Sequence, residues 1–524
     1  MNASFRPLAR QNALAGFAFA CLVAVGCQSP ATDVSNTAVS PANIEKGKIL
    51  AGRHCQSCHQ LPDPSLLDAE TWETGALPAM GPLLGIFSNK NQPYSYRGDP
   101  QMKGPGYLAG NPQVTPGEWQ LIVDYYSATA PGQLPPQDRR ESIPSDLSLF
   151  KVRKPDLRYR NTHSSFVKIR KRGEAPVVVS DARTLKTYFL NRALEPVDSL
   201  TTDGPLVNIA FSSERKAIVC NVGMIDPNDG AQGSALQIND NAGAWKADDA
   251  NLLTGLHRPV QVSPADLNND GLTDYLVCEF GYMQGGLSWM ENLGKDQYRK
   301  HSLSLLPGAL KAYTLDDDQD GNTDIIALFA QGEEGIYLYA NKGSGEFESK
   351  ELLRFPPMNG SSYFELADFN GDGLQDILYT AGDNADYSTV LKPYHGVYIY
   401  LNRGENRFEQ AFFYPIHGCY KAMARDFDND GDLDLAAIAY YADFASQPEE
   451  GFVYLENRGD LHFNPHSSTE LEIGRWITMD VGDINMDGRP DIILGNFVQP
   501  SKFANPAVNW ADAPPVLILE NVGE

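Results

Sequence analysis

The chain has 524 residues, of which 42% are hydrophobic and 21% are charged, so it is long and apolar enough for more than one globular domain. Its 67 Asp and Glu residues outnumber its 42 Lys and Arg residues, which gives a formal net charge of −25. That charge argues against nucleic acid as a partner, because a phosphate backbone would be repelled.

The N-terminus has the features of an export signal. Arg6 and Arg10 precede an apolar run that is too short to span a bilayer, so residues 1–26 are predicted to be a signal peptide. The run ends in AVGC and a polar stretch follows, a pattern that resembles a bacterial lipoprotein signal. The resemblance implies lipidation of Cys27, with residues 28–41 as a tether. An ordinary cleaved signal peptide is the alternative. Both predict an exported protein, in the periplasm or at the cell surface, and the lipoprotein signal adds a lipid anchor as its membrane attachment.

The sequence CQSCH places Cys55, Cys58 and His59 in the spacing Cys-x-x-Cys-His. This order is typical of covalent c-type haem attachment, in which both thiols bond to the porphyrin and the histidine ligates the iron. A redox dithiol would need no adjacent histidine, and half of a zinc site would need a second Cys-x-x-Cys, which the sequence lacks. The motif therefore predicts one covalent haem c.

Two helices are predicted around this motif. Ile44, Gly47 and Ala51 recur at helical spacing before it. The later sequence TPGEWQ combines a Thr cap, a proline at the first helical position and a glutamate three residues after the cap, so a second helix is predicted to begin at Thr115. Together with the motif, these helices resemble those of a class I cytochrome c, which implies an all-α domain over residues 42–130.

The same resemblance implies a methionine as the second axial ligand of the iron. Met80 lies in TWETGALPAM, which resembles an element of cytochrome domains attached to propellers. Met102 lies shortly before the second helix, where small cytochromes place this ligand. Met80 is the preferred ligand, and Met102 remains the alternative.

Five segments of the C-terminal part share one pattern of polar residues. Each carries oxygen-bearing side chains at positions 1, 3, 5 and 9 and a glycine at position 6, as in DFNGDGLQD. Hard oxygen donors around a tight turn suit Ca²⁺. One such segment could be a solvated turn, but five in register predict about five calcium sites. The predicted ligands are Asp266, Asn268, Asp270, Asp274, Asp316, Asp318, Asp320, Asp324, Asp368, Asn370, Asp372, Asp376, Asp426, Asp428, Asp430, Asp434, Asp483, Asn485, Asp487 and Asp491.

Each metal loop is flanked by segments that are typical of strands. An alternating strand precedes the loop, an apolar strand follows it, a third strand ends in Asn, and a fourth completes the unit. Four strands at a period of roughly 50 to 60 residues indicate a propeller blade. These loops and strands resemble the FG-GAP/VCBS repeat family, the calcium-loop propellers of integrin-α type. Two units without a metal loop precede the five, so the resemblance implies an all-β propeller of seven blades over residues 147–524.

The connections of this propeller can also be predicted. The last unit ends before a fourth strand, and residues 147–155 could supply it to close the ring. The Pro-rich residues 131–146 before them are predicted to be a linker. Cys220 and Cys278 lie in apolar runs and are predicted to be buried free thiols.

The function follows from these parts as a set of hypotheses. The loops between second and third strands are long and aromatic, which indicates either a ligand or partner site or packing of the loops on one another. The leading hypothesis is an exported monohaem cytochrome that carries one electron and whose propeller docks a redox partner protein or a small ligand. One alternative is an oxidoreductase whose propeller face binds a substrate such as a carbohydrate. The other is a surface adhesion module.

Overall fold

The computed structural model describes residues 39–90, 92–94, 112–139, 142–157, 159–241, 243–385, 388–501 and 503–523. The predicted signal peptide, Cys27, most of the tether and Met102 lie outside these residues, so their assignments stay predictions. The chain from Pro41 to Glu524 forms one compact unit. Within the described ranges, every helix is too short or too polar to cross a membrane.

The two helices predicted around the Cys-x-x-Cys-His motif are confirmed. α1 spans Pro41–His54 and ends directly before the motif. The second long helix spans Pro116–Thr129 and has the predicted capping box: Glu118 N donates to Thr115 Oγ1 at 3.2 Å, and Thr115 N donates to Glu118 Oε2 at 2.9 Å. The elements between them are 3₁₀ turns at Cys55–Ser57 and Pro64–Leu66, α2 (Ala69–Thr71), a π turn at Trp72–Ala76, α3 (Leu77–Met80), a 3₁₀ turn at Gly81–Leu84, and the hairpin strands β1 (Ser88–Asn89) and β2 (Gln92–Pro93).

α1 packs closely against the second long helix, α4, at a glycine. A Cβ atom on Gly47 would lie 2.0 Å from the carbonyl oxygen of Leu121, so a larger residue would push the helices apart. Ala51 is fully buried in the N-terminal core, the cluster of buried side chains that also contains Leu67, Trp72, Leu77, Trp119, Ile122 and Tyr126. The assignment of an all-α cytochrome c domain to residues 42–130 stays a prediction.

The remaining described strands confirm a seven-bladed β-propeller, because they form seven antiparallel sheets of four or five strands. Blade 1 comprises β4 (Ser164–Ile169), β5 (Val177–Asp181), β6 (Lys186–Leu190) and β7 (Pro196–Thr201). Blade 2 comprises β8 (Leu206–Ser213), β9 (Lys216–Asn221), β10 (Gly233–Asp240), β11 (Trp245–Ala247) and β12 (Leu253–Leu256). Blade 3 comprises β13 (Pro259–Ala265), β14 (Asp274–Glu279), β15 (Gly286–Asn292) and β16 (Tyr298–Ser304). Blade 4 comprises β17 (Ala309–Leu315), β18 (Asp324–Phe329), β19 (Gly335–Asn341) and β20 (Phe347–Arg354).

The last three blades complete the ring, and the predicted closing strand is confirmed. Blade 5 comprises β21 (Ser361–Ala367), β22 (Asp376–Ala381), β23 (Gly396–Asn402) and β24 (Phe408–Pro415). Blade 6 comprises β25 (Cys419–Arg425), β26 (Asp434–Ala439), β27 (Phe452–Asn457) and β28 (Phe463–His466). Blade 7 comprises β29 (Trp476–Gly482), β30 (Asp491–Asn496), β31 (Val516–Asn521) and β3 (Phe150–Arg153), which precedes blade 1 in the chain. β3 pairs antiparallel with β31, so the first strand of the propeller's sequence completes its last sheet.

Each pair of neighbouring blades shares one hydrophobic core. Seven clusters of buried side chains in the described propeller lie at the seven blade junctions. In blade 5, Ile377 and Tyr379 pack toward blade 4 whereas Leu378 packs toward blade 6. Because alternate residues face opposite neighbours, the whole second strand is buried, which explains its continuous apolar sequence. Cys220 and Cys278 are buried free thiols in these cores, as predicted.

The first strands of the blades surround the central channel and are joined by a belt of hydrogen bonds. In each case a side chain of one blade bonds to the backbone of the next blade, so the belt crosses all seven junctions. The bonds are Ser165 Oγ to Leu206 O (2.7 Å), Val262 N to Asn208 Oδ1 (3.3 Å), Ala312 N to Gln261 Oε1 (3.0 Å), Tyr313 Oη to Phe364 O (3.3 Å), Ala424 N to Glu365 Oε2 (3.0 Å), Lys421 Nζ to Met479 O (2.6 Å) and Ile169 N to Asp480 Oδ2 (2.7 Å).

Candidate functional site

The end of α1 delivers the two cysteines of the motif to different environments. Cys55 packs against the N-terminal core, whereas Cys58 is exposed, and both are free thiols. Burial, and then the neighbouring Cys58, raise the pKa of the Cys55 thiol to about 11. The two thiols of the motif therefore differ in their exposure to solvent.

The histidine of the motif is held through one ring nitrogen. His59 Nδ1 lies 2.8 Å from Gln60 O, and when Nδ1 carries the proton the lone pair of Nε2 is available to a metal. The loop after the histidine is anchored to the core by two hydrogen bonds. Tyr126 Oη donates to Pro62 O at 3.1 Å, and Trp72 Nε1 donates to Pro64 O at 2.8 Å. The residues that would support an axial histidine are therefore fixed by aromatic side chains.

Met80 is the candidate axial methionine that the structure describes. It ends α3 and packs, half-buried, against the same N-terminal core as Cys55. Two thiols, an imidazole nitrogen and a thioether are the donor set that a c-type haem requires, and of these groups Cys55 and Met80 pack against the core. The described residues therefore fit that group chemically.

The N-terminal region packs directly on the propeller, on the face opposite the metal loops. Tyr394, in the loop between β22 and β23, donates its hydroxyl to Leu66 O at 2.9 Å. Met358, in the connection of β20 to β21, and Val390, in the loop between β22 and β23, pack against the N-terminal core. A propeller surface thus forms one wall of the region that carries the motif.

The predicted linker also lies against the propeller where the structure describes it. Gln137 Nε2 donates to His395 O at 2.9 Å, and Arg139 Nη1 bonds to Glu450 Oε1 at 2.8 Å. Ile143 is buried in the core between blades 5 and 6. Sequence reasoning missed these contacts, because a single sequence gives no signal that pairs residues some 300 positions apart.

Each of the five predicted metal loops joins the first strand of a blade to the second. In blade 4, Gly321 N donates to Asp316 Oδ2 at 3.1 Å, which folds the loop back on its first residue. Gly321 has φ 88°, and Gln319 at position 4 has φ 60°, so two left-handed residues make the turn. The loop carboxylates are thereby directed to one place.

The carboxylates of two loops converge closely. Oxygens of Asp316, Asp318 and Asp324 lie within 4.8 Å of one another. The same holds for the three equivalent carboxylates of blade 6. In the other three loops an asparagine takes position 3, so an amide oxygen replaces one carboxylate. An oxygen-only donor set around a tight turn fits Ca²⁺. The blade 6 carboxylates are Asp426, Asp428 and Asp434, and the position-3 asparagines are Asn268, Asn370 and Asn485.

The aspartate at position 9 begins the second strand and is buried in all five loops. In blade 4, Asp324 Oδ2 accepts from Asp317 N at 2.9 Å and Oδ1 accepts from Asn341 N at 2.7 Å. Burial, together with neighbouring carboxylates, raises the pKa of Asp434 and that of Asp491 to about 6. These carboxylates are crowded by like charges, a situation that a bound cation would relieve.

The asparagine at the end of the third strand is a member of this site whose role sequence reasoning missed. Asn341 Nδ2 donates to Thr323 O at 3.1 Å and to Leu267 O of the preceding blade at 2.9 Å, while its Oδ1 accepts from Gly343 N at 3.0 Å. The repeated Asn was visible in the sequence, but its contacts were not. The equivalent residues are Asn292, Asn402, Asn457 and Asn521.

The aromatic loops of the opposite face pack largely on one another. Tyr440, Phe444 and Trp510 are buried, and the Arg475 guanidinium lies 3.8 Å from the centre of the Tyr440 ring. Arg475 Nη1 also donates to Gln499 O at 2.7 Å. At these residues the structure favours loop packing over an open ligand site.

Comparisons with known proteins agree with the repeats. The FG-GAP-like repeat family matches residues 316–379, which begin at one metal loop and include the next. Integrin alpha-4 of Xenopus laevis is 28% identical over 209 residues, covering 34% of this chain and 18% of that protein. Cartilage acidic protein 1 of Mus musculus is 29% identical over 178 residues, covering 32% of this chain and 26% of that protein. The chain thus spans about a fifth to a quarter of these two relatives. The solved Dos1 propeller aligns with a TM-score of 0.42 and 8% identity, over 69% of this chain and 79% of that chain. The family match places an FG-GAP-like repeat in blades 4 and 5 of the seven-bladed propeller.

Proposed function

We propose that this protein is an exported electron-transfer protein that holds one haem c in its N-terminal region and carries it on a calcium-stabilised propeller. The observation that carries the proposal is the set of side chains at the end of α1. Cys55 and Cys58 are free thiols, and the contact of His59 Nδ1 with Gln60 O leaves Nε2 available. A bound haem would supply a one-electron centre.

The roles of the chain's own residues follow from their chemistry. Cys55 and Cys58 would hold the haem through thioether bonds, and His59 and Met80 would be its axial ligands, with Met102 as the alternative. Tyr126 would keep the histidine loop in place through its bond to Pro62 O. Because Cys58 is exposed, a redox partner protein can approach the attachment site.

The propeller would act as the carrier of this region. Five loops would bind Ca²⁺ on one face, while Tyr394 and its neighbours hold the N-terminal region on the other. Such an arrangement separates the structural ions from the redox group. A redox partner or a small ligand such as a carbohydrate would be bound on the remaining surface, and lipid on Cys27 would keep the exported protein at a membrane.

Haem retention tests the proposal directly. Protein produced with its export signal in a host that matures c-type cytochromes should keep its haem through acid–organic extraction. Cys55→Ser or Cys58→Ser should weaken that attachment, and the double variant should lose it. Complete loss of haem from the unmutated protein would contradict the proposal.

The axial ligand can be tested with a matched methionine. Met80→Ala should abolish the near-infrared sulfur-to-iron band of the oxidised protein, because the thioether ligand is removed. Met358→Ala alters another methionine packed against the same core and should leave the band in place. If Met80→Ala keeps the band and Met102→Ala loses it, Met102 is the ligand.

A further inference from the structure

Blade 2 has a broken outer strand. β11 and β12 share the edge of β10, and the chain leaves the sheet between them. Asp248 N still donates to Gln237 O at 2.9 Å, and Leu252 N donates to Ala235 O at 2.8 Å. The residues between these two bonds form a bulge opposite Leu236.

A cavity of about 540 Å³ lies beside this bulge. Its walls come from residues 201–203 at the end of β7, residues 221–234 around the connection of β9 to β10, and residues 247–255 of the bulge and its flanks. The volume falls within the range of about 300–1,000 Å³ that is usual for small-molecule sites. Blade 2 lacks a metal loop, so this cavity is separate from the five candidate calcium sites.

Two deeply buried polar side chains line the cavity with unused hydrogen-bonding capacity. Ser234 is 6% exposed, and its hydroxyl makes no hydrogen bond to any part of the chain that the structure describes. Asn221 is 7% exposed; its Oδ1 accepts from Gly223 N at 2.9 Å, but its Nδ2 has no acceptor among the described residues. Both residues line the cavity, so the Ser234 hydroxyl and the Asn221 amide are free to bond to a ligand there.

The charge of the lining selects the class of ligand. Asp203 and Asp249 contribute carboxylates, and among the described lining residues none is basic. Such a lining repels anions and offers acceptors to hydroxyl groups. Leu236 and Ala247 supply a small apolar surface for C–H groups. We propose that this cavity binds a neutral polyhydroxylated ligand of the sugar class.

The affinity should be modest. No aromatic side chain among the described lining residues is available to stack on a sugar ring. A ligand with about a dozen heavy atoms bound mainly through hydrogen bonds then has a dissociation constant on the order of millimolar. This site rests on the small-ligand part of the proposed function, and it is independent of the haem and of electron transfer.

Binding is tested with the full mature protein and a panel of glucose, galactose, mannose, maltose and cellobiose, measured by saturation-transfer difference NMR. At least one sugar should bind saturably. Asp249→Asn and Ser234→Ala should each weaken it by about threefold to tenfold, because Ser234→Ala removes a hydroxyl and Asp249→Asn replaces one accepting carboxylate oxygen with a donating amide nitrogen. Ser234→Leu should abolish it by filling the cavity. Asp296→Asn, in the exposed turn between β15 and β16, is the control and should not change the affinity.

The other outcomes overturn the proposal. The first is that no sugar of the panel binds saturably. The second is that Asp249→Asn and Ser234→Ala leave the affinity for the sugar unchanged. The third is that spermidine or Ca²⁺ binds the cavity and no sugar does. Circular dichroism confirms that each variant is folded, and the conservative Ser234→Ala and Asp249→Asn keep the test valid if Ser234→Leu does not fold.

Discussion

At the scale of single residues, the asparagine that ends the third strand holds each metal loop through a hydrogen bond from its side-chain amide to the loop backbone. In blade 4 its amide joins the loop of its own blade to that of blade 3, through Thr323 O and Leu267 O. In blade 3, Asn292 bonds to Thr273 O and accepts from Gly294 N, within one blade. The two asparagines therefore differ by one hydrogen bond that crosses a blade junction.

This difference predicts unequal costs for the two alanine variants. Asn341→Ala should lower the free energy of unfolding by about 2–3 kcal/mol, because three hydrogen bonds of about 1 kcal/mol are lost. Asn292→Ala should cost about 1 kcal/mol less. Urea unfolding followed by circular dichroism, with saturating Ca²⁺, measures both. Equal costs would mean that the bond across the junction adds nothing.

Lys421, in the belt around the channel, is a lysine whose positive charge is opposed by burial. Burial lowers its pKa from 10.5 to about 7; Asp480 and Glu365 act against this shift, and Lys311 and Lys168 add to it. Between pH 7 and pH 10.5 the unfolded chain therefore binds more protons than the folded protein. The free energy of unfolding must then rise with pH across this window as far as this lysine is concerned.

Lys421→Met should remove that contribution. The difference in unfolding free energy between the unmutated protein and the variant should grow in favour of the unmutated protein from pH 7 to pH 10, with a slope of at most about 1.4 kcal/mol per pH unit. Lys216→Met, at an exposed lysine, should show no such slope. A flat difference for Lys421→Met would mean that Lys421 stays charged in the folded protein.

At the scale of strands and loops, the sequence predicted most of the propeller because its signals are local. The alternating first strand, the metal loop and the buried second strand each occupy a few consecutive residues, and Asp368 to Asp376 alone define one loop. The contacts of Tyr394 with Leu66 and of Arg139 with Glu450 could not be predicted, since they join distant segments whose residue types are common on any surface.

One local signal was available and unused. In five blades the first residue of the fourth strand is aromatic and pairs with the asparagine that ends the third strand. This pattern identifies Phe150 as the start of the missing strand of blade 7, which sequence analysis inferred only from the shortage of one strand. The aromatic residues are Tyr298, Phe347, Phe408, Phe463 and Phe150.

The metal loops predict a strong dependence of stability on calcium. An ion that binds only the folded protein adds about 2.7 kcal/mol per site at a concentration 100 times its dissociation constant. Chelation should therefore lower the melting temperature of the propeller strongly. Asp430→Ala should lower the calcium stoichiometry by about one, because it removes one position-5 ligand. Asp296→Asn should leave the stoichiometry unchanged. A melting temperature that is insensitive to chelation would mean that the loops are solvated turns and not calcium sites.

At the scale of the whole molecule, ring closure and attachment of the N-terminal region use one continuous segment. Gln137 and Arg139 bind loops of blades 5 and 6, Ile143 fills the core between those blades, and β3 then completes blade 7. The segment after the helical region is therefore part of the propeller.

Calcium removal below the melting temperature should leave the haem spectrum unchanged, because the loops and the N-terminal region lie on opposite faces.

The closing strand should be the point at which the ring is most sensitive to truncation of a side chain. Phe150 is 6% exposed and lies 5.6 Å from the ring of Phe427 and 5.7 Å from that of Tyr454. Phe150→Ala should lower the free energy of unfolding by about 3–5 kcal/mol, the range for a buried phenylalanine. Phe408→Ala is the matched control, since Phe408 holds the equivalent position of blade 5 but is only half-buried, and its strand is joined to its blade by a short turn. Its cost should be about half as large. Urea unfolding of the full chain measures both, and a Phe150→Ala variant as stable as Phe408→Ala would show that closure depends on the backbone pairing of β3 with β31 and not on its aromatic side chain.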